Sequence, residues 1–389
     1  MIEKIKYLSN NYFEDIVAIR RHLHKYPELS FNEHETSRFI KKTLNKWGVS
    51  FTDGYVNTGI VVVLKGINPS SKVIGLRADF DALPICEENN IDYKSLNQGV
   101  MHACGHDAHT ASMLGTLRIL NELKEDWSGT IKFIFQPAEE RLPGGAQQMI
   151  EEGVLKEPNV KEMHAQHVLP ELEVGKVGFR KGIYMASTDE IYIDICGVGG
   201  HAALPQNYNN PIIASSDLIL QLNNNFLKKK NSNSIFAIGS VLAKGSTNVI
   251  PDSVSLMGTF RALDQEHRDR AHKEIVDIVE NIEQDYKLNI KLDIRKGYPA
   301  LYNNIEVTQK NILNAINYMG DDNVVELPIR MTAEDFSYFA NEVPSCFYRL
   351  GVGNIEKGIT YGLHTSKFNI DEESLRVGMG LMAYLAVSS

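Results

Sequence analysis

Apolar side chains recur along this chain with two different spacings. In residues 3–27 and 32–48 they lie three or four positions apart, which is typical of helices with one buried face. Residues 61–64, 73–76 and 131–135 are short runs rich in valine, isoleucine and leucine, a pattern that indicates buried strands. Helices that alternate with such strands predict an α/β domain with a largely buried sheet.

The order of the elements changes between residues 187 and 296. The pattern there predicts strand, helix, strand, strand, helix, strand, which is the split βαβ, ferredoxin-like arrangement. The predicted segments are 191–195, 211–226, 235–242, 253–260, 266–286 and 290–294. Helical and strand signals then resume at 307–319 and 346–350. We therefore predict a discontinuous α/β domain over 1–186 and 297–389, with an α+β domain inserted at 187–296.

Length and charge narrow the possible functions. A chain of 389 residues, 43% hydrophobic and 23% charged, is long enough for two domains with separate cores. Its net charge is -9, and its basic residues gather only in the short run from Lys228 to Lys230, where a solvated helix end is expected. Because nonspecific phosphate binding needs a basic face, we expect no nucleic-acid partner.

The N-terminal segment and the cysteines bear on location. Charged residues interrupt the first 16 positions, and no later apolar segment has the length needed to span a bilayer. The four cysteines lack the close spacing of a disulfide framework. They are Cys86, Cys104, Cys196 and Cys346. We expect a cytoplasmic protein in a reducing compartment, with no membrane partner.

Potential metal ligands are densest just after Met101. The cluster comprises His102, Cys104, His106, Asp107 and His109. Cys104 and His106 lie two positions apart, so an extended segment would place both side chains on one face, where they could bind metals. A core cysteine followed by histidines that cap a helix is the alternative at this point.

Two glutamates follow the strand predicted over 131–135. Glu139 and Glu140 are neighbours, and adjacent side chains of an extended backbone point to opposite sides. One could bind a metal while the other acts as general base toward a water molecule. A pair of solvated charges would have the same sequence, but the position at a strand end favours a site.

Further candidates lie outside these two clusters. His164 or His167 is near the end of the next predicted strand, and His364 is close to the C-terminus. A lone histidine at such a place could equally be structural. Asp79 and Asp81 follow a predicted strand, where a carboxylate could bind metal, orient a histidine ligand or cap a loop.

Taken together, these motifs resemble the M20 metallopeptidase family, and in particular its amidohydrolase branch. That branch holds hippurate hydrolases, aminoacylases, auxin-conjugate hydrolases and N-acetyldiaminopimelate deacetylases. The resemblance covers nearly the whole chain and rests on residues 20–29, 77–84, 101–110, 135–140 and 362–367. Motifs of this length and order are specific for the branch and do not identify a substrate.

The resemblance implies a centre of two divalent metal ions per subunit, zinc, manganese, cobalt or nickel, with Glu139 as general base and Asp79 among the catalytic residues. The implied ligands are Cys104, His106, Glu140, His167 and His364. His167 matches the family's histidine before an apolar-proline stretch. Residues 164–166 depart from the family pattern, which keeps His164 as an alternative. Glu334 and Asp335 match a further motif and are candidates for contacts around the centre.

For the inserted domain, the resemblance implies a lid that also forms a homodimer. His201, in the Gly-rich stretch 197–205, matches a histidine that holds the scissile carbonyl oxygen, often across a dimer interface. An exposed imidazole on a Gly-rich turn is the alternative. Asn248 and Arg261 match positions that line the substrate, and the guanidinium of Arg261 suits a carboxylate.

We therefore predict a homodimeric, metal-dependent amidohydrolase that cleaves the amide bond of small N-acyl amino acids. A dipeptidase or carboxypeptidase with the same centre is one alternative. A metal-dependent binding protein without turnover is another. The presence of Glu139 argues against the second alternative, because a binding protein needs no general base.

Overall fold

The computed structural model describes residues 1–227 and 233–389, so the lysines at 228–230 lie outside the described residues. The chain separates into two compact units. The first unit comprises Met1–Gly182, Tyr302–Pro328 and Asp335–Ser389, and the second comprises Ile183–Leu301 and Ile329–Glu334. Nothing in the sequence pattern indicates that the short segment 329–334 belongs with the inserted unit.

Helices and strands alternate as follows. The helices are α1 (Ile2–Lys25), α2 (His34–Lys46), α3 (His106–Glu122), α4 (Gly145–Glu151), α5 (Pro211–Leu227), α6 (Gln265–Tyr286), α7 (Ile305–Met319), α8 (Phe336–Glu342) and α9 (Glu373–Ser388). The strands are β1 (Thr52–Tyr55), β2 (Gly59–Lys65), β3 (Val73–Asp79), β4 (Thr130–Gln136), β5 (Glu162–Glu173), β6 (Val177–Phe179), β7 (Gly182–Met185), β8 (Asp189–Cys196), β9 (Gly200–His201), β10 (Ser234–Ala243), β11 (Val249–Ile250), β12 (Ser253–Ala262), β13 (Asn289–Lys296), β14 (Leu301–Asn303), β15 (Val324–Glu326) and β16 (Ser345–Gly353).

An eight-stranded mixed sheet forms the centre of the first unit, in the order β1-β2-β4-β3-β5-β16-β6-β15. Strands β4, β3, β5 and β16 run parallel to their neighbours in this series. Every residue of β3, β4 and β16 is buried, as expected for strands covered by helices on both faces. Each large apolar side chain buried there stabilises the fold by about 1.5–3 kcal/mol.

Helices α1, α3 and α9 pack against one another in the first unit. Helix α1 has the predicted amphipathic pattern, and its buried side includes Ile5, Ile16 and Leu23. Helix α9 is buried on nearly all sides. It therefore lacks the alternation of a polar and an apolar face by which a surface helix can be predicted from sequence.

The second unit contains a four-stranded antiparallel sheet in the order β10-β12-β8-β13. Buried residues alternate with less buried ones along β8, because α5 and α6 pack against the sheet. Asp264 caps α6, since its side chain accepts the N–H of His267 at 2.7 Å. The predicted split βαβ order is confirmed, and with it the fold class. None of the described helices has the length and apolarity that crossing a bilayer requires.

Candidate metal centre

The candidate site lies in the first unit, at the carboxyl ends of parallel strands, where loops commonly carry functional groups. Strand β3 ends at Asp79, which is paired in register with Gln136, the last residue of β4. The neighbouring strand β5 contributes His167 from its own middle, two residues beyond the position paired with Arg77. The topology therefore brings segments that are far apart in sequence to one edge of the sheet.

All five predicted ligands meet at this edge. The Sγ atom of Cys104 lies 3.5 Å from Nε2 of His167 and 3.3 Å from Nε2 of His364. Glu140 extends the cluster, because its Oε1 lies 3.1 Å from Nε2 of His364 and 3.9 Å from Nε2 of His106. A thiol, a carboxylate and three imidazoles thus converge.

This donor set fits divalent metal ions. Nε2 of His106 is buried and has no hydrogen-bond partner among the described residues. Leaving such an atom without a partner costs about 1–3 kcal/mol, and a coordinated cation removes that cost. Sulfur, nitrogen and oxygen donors in this combination suit zinc, manganese, cobalt or nickel. The side chain of His364 is 52% exposed, so the cluster is accessible at that ligand.

Electrostatics also favour a cation. Burial lowers the pKa of His106, but the carboxylates of Asp79, Asp81 and Glu140 outweigh it and raise that pKa to about 10. Burial, with the charges of Glu140 and Glu139, raises the pKa of the Cys104 thiol well above its usual range. Both shifts reflect several carboxylates in one buried space, whose charge a divalent cation would neutralise.

A turn, and not the expected extended segment, brings Cys104 and His106 together. Cys104 lies in the turn, and α3 begins at His106. Between them Gly105 has a φ of +82°, and a Cβ there would lie 2.5 Å from the side chain of Val168. Only glycine combines this left-handed backbone with so close an approach.

Asp81 connects two of the proposed ligands. Its Oδ1 lies 3.1 Å from Nδ1 of His106, which leaves Nε2 of that ring directed at the cluster. Its Oδ2 accepts the backbone N–H of Glu140 at 2.9 Å and the hydroxyl of Ser30 at 2.7 Å. Of the roles the sequence left open for Asp81, this geometry corresponds to orienting a histidine.

Asp79 is fully buried next to the cluster. Its carboxylate contacts Nη1 of Arg77 at 2.5 Å and Nδ1 of His109 at 2.5 Å. Burial raises the pKa of Asp79, but Arg77, His106 and His109 outweigh it and hold that pKa well below its usual range. Its nearer oxygen is 3.8 Å from Nε2 of His106, so this carboxylate lies beside the cluster. The carboxylate of Asp335, the aspartate of the motif at 334–335, accepts a hydrogen bond from Nη2 of the same Arg77 at 2.6 Å.

The two glutamates have different surroundings. Glu140 reaches His364 and His106, whereas Oε1 of Glu139 accepts the N–H of Asp335 at 3.4 Å. Glu139 is buried, and it offers an oxygen within 4.8 Å of donor atoms of His106 and Glu140. The structure therefore places a second carboxylate, that of Glu139, beside the cluster.

His164 lies elsewhere, although it is only three residues from His167. Successive residues of a strand face opposite sides, so residues separated by an odd number of positions also do. The rings of His164 and His167 therefore project from opposite faces of β5. Nδ1 of His164 accepts from Asn311 at 2.8 Å, and its Nε2 lies 3.0 Å from Glu162 and 3.1 Å from Ser389. Both nitrogens of His164 therefore have partners outside the cluster.

The remaining candidates belong to the second unit. His201 is exposed on β9, which pairs with β11, and the N–H of Ala202 donates to the carbonyl of Asn248 at 3.0 Å. The structure thus brings His201 and Asn248 close together. Arg261 lies on β12, where its Nη1 donates to the carbonyl of Met331 at 3.4 Å and burial lowers its pKa.

Comparisons with known proteins agree with this geometry. The model of peptidase family M20/M25/M40 matches residues 75–388. N-acetyldiaminopimelate deacetylase of Priestia megaterium is 36% identical over 373 residues, which cover 95% of this chain and 96% of the relative.

Solved structures show the same fold over the full length. A protein of methicillin-resistant Staphylococcus aureus is 35% identical, with a TM-score of 0.91 over 100% of this chain and 99% of the other. YXEP of Bacillus subtilis, described as a dinuclear metal-binding peptidase of family M20, is 33% identical. Its TM-score is 0.83, over 97% of this chain and 98% of the other.

Proposed function

The chain belongs to peptidase family M20/M25/M40 and is a metal-dependent amide hydrolase, and we propose that it cleaves the amide bond of N-acyl amino acids. The proposal rests on one observation. Five side chains that can bind metal converge beside a sixth, Glu139, that can act as a base. The deacetylase from Priestia megaterium supports an acyl group, and not an aminoacyl group, in the substrate.

In this proposal Cys104, His106, Glu140, His167 and His364 hold two divalent ions. The ions supply Lewis acidity, which lowers the pKa of water and polarises a carbonyl group. Glu139 removes a proton from the attacking water and returns it to the nitrogen of the leaving amine. Asp81 orients the ring of His106, and Asp79, which the resemblance counts among the catalytic residues, acts by orienting the ring of His109.

The second unit supplies substrate contacts in this proposal. Nδ1 of His201 accepts the N–H of Ala203 at 3.1 Å, so the neutral ring carries its proton on Nε2 and can donate to a developing oxyanion. Arg261 would bind the carboxylate of the amino acid, and Asn248 would hold a polar group of the substrate.

A substrate panel tests the proposal. The purified chain would be loaded in turn with zinc, manganese, cobalt or nickel and given N-acetyl amino acids, N-benzoyl amino acids, N-acetyldiaminopimelate and dipeptides. We expect release of free amino acid from the acylated substrates and loss of that release in a Glu139→Gln variant. Preferred cleavage of the dipeptides would reassign the chain as a peptidase, and metal binding without any cleavage would indicate a binding protein.

We also propose that the chain forms a homodimer through the second unit. Strand β10 is an edge of its sheet, and Val241 and Leu242 on it are 55% and 54% exposed. Unpaired strand edges with exposed apolar side chains favour association. Light scattering should give twice the mass of one chain, and Leu242→Lys should reduce it, whereas Ile355→Lys, at an exposed apolar residue of the first unit, should not.

We propose a cytoplasmic location because all four cysteines are unpaired and two of them, Cys86 and Cys196, are exposed. Exposed thiols are typical of a reducing compartment. Alkylation of the intact protein in unbroken cells of its source, followed by mass spectrometry, should find both in the thiol form. Their recovery as disulfides would contradict this location.

A further inference from the structure

Glu33 is a fully buried carboxylate in the first unit, and the hydrogen-bond partners of its side chain all lie outside α2, the helix that it precedes. Its Oε1 accepts the backbone N–H of Phe31 at 2.9 Å and that of Ala138 at 2.9 Å. Its Oε2 accepts the hydroxyl of Thr58 at 3.1 Å. One carboxylate therefore joins three loops.

Ala138 is in an unfavourable backbone conformation that this contact holds. Its φ is +55°, in the left-handed region, which costs an alanine about 1–2 kcal/mol. The peptide groups around it are fixed on both sides, because its N–H donates to Glu33 and its carbonyl accepts the N–H of Gly145 at 2.9 Å. Phe31, the second donor to Oε1, also has a positive φ, of +69°.

The direction of the next two side chains depends on this conformation, because Glu139 and Glu140 follow Ala138 directly. Asp81 holds the far end of the segment through the N–H of Glu140. A change of Ala138 to an ordinary negative φ would rotate the chain between these two anchors and turn Glu139 away from its present position. Misplacement of a catalytic group by about 1 Å can lower a rate by a factor on the order of 100.

We propose that Glu33 is a positioning residue, whose buried carboxylate holds Ala138 in the left-handed conformation that directs Glu139 and Glu140 at the metal centre. The start of α2 does not need this side chain. Glu28 serves that purpose, since it accepts the N–H groups of Glu35 at 3.1 Å and Thr36 at 2.8 Å. The roles of Glu139 and Glu140 in this inference rest on the proposed function.

Glu28 and Glu33 therefore offer a matched pair of variants. Glu33→Met keeps the length of the side chain and removes both acceptors, whereas Glu33→Gln keeps one oxygen for Phe31 and Ala138. Glu28→Met weakens the same helix start, and the side chain of Glu28 forms its hydrogen bonds with Glu35 and Thr36 and not with the loop at 137–140. The first readout is hydrogen exchange by mass spectrometry on the metal-free chain, for peptides that cover this loop.

We expect exchange in the loop to be at least about 10-fold faster in Glu33→Met than in the unchanged chain, because a hydrogen-bonded amide exchanges only after local opening. Glu33→Gln and Glu28→Met should leave the loop close to the unchanged chain. With metal and a cleaved substrate, Glu33→Met should lose about 10- to 100-fold in kcat with little change in KM, and Glu33→Gln should recover most of it.

Unchanged loop exchange in a folded Glu33→Met chain would overturn the inference, as would equally fast exchange in Glu28→Met. If Glu33→Met does not fold, the hydrogen-exchange rate of the Ala138 amide in the unchanged chain tests the inference instead. This amide should be strongly protected, and exchange at the rate of an unstructured peptide would exclude the proposed contact. Both exchange measurements need no substrate, so they decide the role of Glu33 even if the chain hydrolyses none of the proposed amides.

Discussion

His109 donates from Nδ1 to the carboxylate of Asp79 at 2.5 Å, and its Nε2 accepts the N–H of Val168 at 2.9 Å. Both ring nitrogens are in use, so His109 has no lone pair for a metal ion. Because Val168 follows His167 directly, this ring instead fixes the backbone of a proposed ligand. The family resemblance implies His106, and not His109, as a ligand, and the hydrogen bonds of His109 give that ring a different role.

Replacement of His109 by glutamine should therefore leave two metal ions per chain. The free energy of unfolding should fall by about 1–3 kcal/mol, since the partners of a buried ring lose well-formed hydrogen bonds. Metal content by plasma mass spectrometry and denaturant unfolding measure the two effects. His106→Gln is the control and should lose metal; loss of metal from His109→Gln would show that this ring is a ligand.

Glutamine at position 139 should preserve metal content and reduce kcat at least about 100-fold, because the proton acceptor is lost while the donors remain. The neighbouring Glu140→Gln variant should instead lose metal and activity together. Steady-state kinetics beside metal analysis separates the two. Near-normal turnover in Glu139→Gln would remove Glu139 as the base.

Cys104→Ala should lower metal content and activity in parallel, because the thiolate is proposed to bind metal and not to attack the substrate. Cys346→Ala is the matched control, since Cys346 is also buried and free but contributes to none of the donor groups of the described centre. Metal analysis and intact-protein mass spectrometry are the measurements. A substrate-derived acyl adduct on Cys104 would contradict the assignment.

The contribution of Glu33 to the stability of the metal-free chain should decrease between about pH 4.5 and pH 7. Burial and the charge of Asp81 raise the pKa of Glu33 to about 7, so the folded chain keeps this proton at pH values where the unfolded chain has released it. The contribution is fully present below about pH 4.5 and is lost as the pH rises through about 7. Glu33→Gln should flatten this change and stabilise the chain at pH 8 by about 1–3 kcal/mol relative to the unchanged protein. Denaturant unfolding at pH 5 and pH 8 measures it, with Glu28→Gln as a control that should follow the unchanged chain.

His201→Ala should lower kcat by about 100- to 1000-fold with metal content unchanged, as expected for loss of an oxyanion donor. Mixing this variant with Glu139→Gln under subunit exchange tests which subunit the imidazole serves. Recovered activity would show donation to the partner's centre. Confirmed exchange without recovery would limit His201 to its own chain or exclude it from catalysis.

Local sequence was sufficient for most of the fold. The spacing of apolar residues predicted α1 and α2 and the order of elements in the inserted unit, because one-sided burial imposes a period on the sequence. Helix α9 and the assignment of residues 329–334 to the second unit could not be predicted in this way. Helix α9 is buried on nearly all sides and has no such period, and membership of a unit depends on contacts between distant segments.

For the site, the sequence by itself determined the kinds of donors and the order in which they occur. Tertiary structure alone decided their geometry. His164 and His167 differ by three residues on one strand. The resemblance favoured His167 and kept His164 as an alternative, and the course of β5 shows that the ring of His167 meets Cys104. The contact between Glu33 and Ala138 spans 105 positions, and no local pattern marks either residue. Hydrogen bonds between loops form only when the sheet brings their strands together, so the tertiary structure decides which carboxylate binds, which orients a ring and which holds a strained backbone.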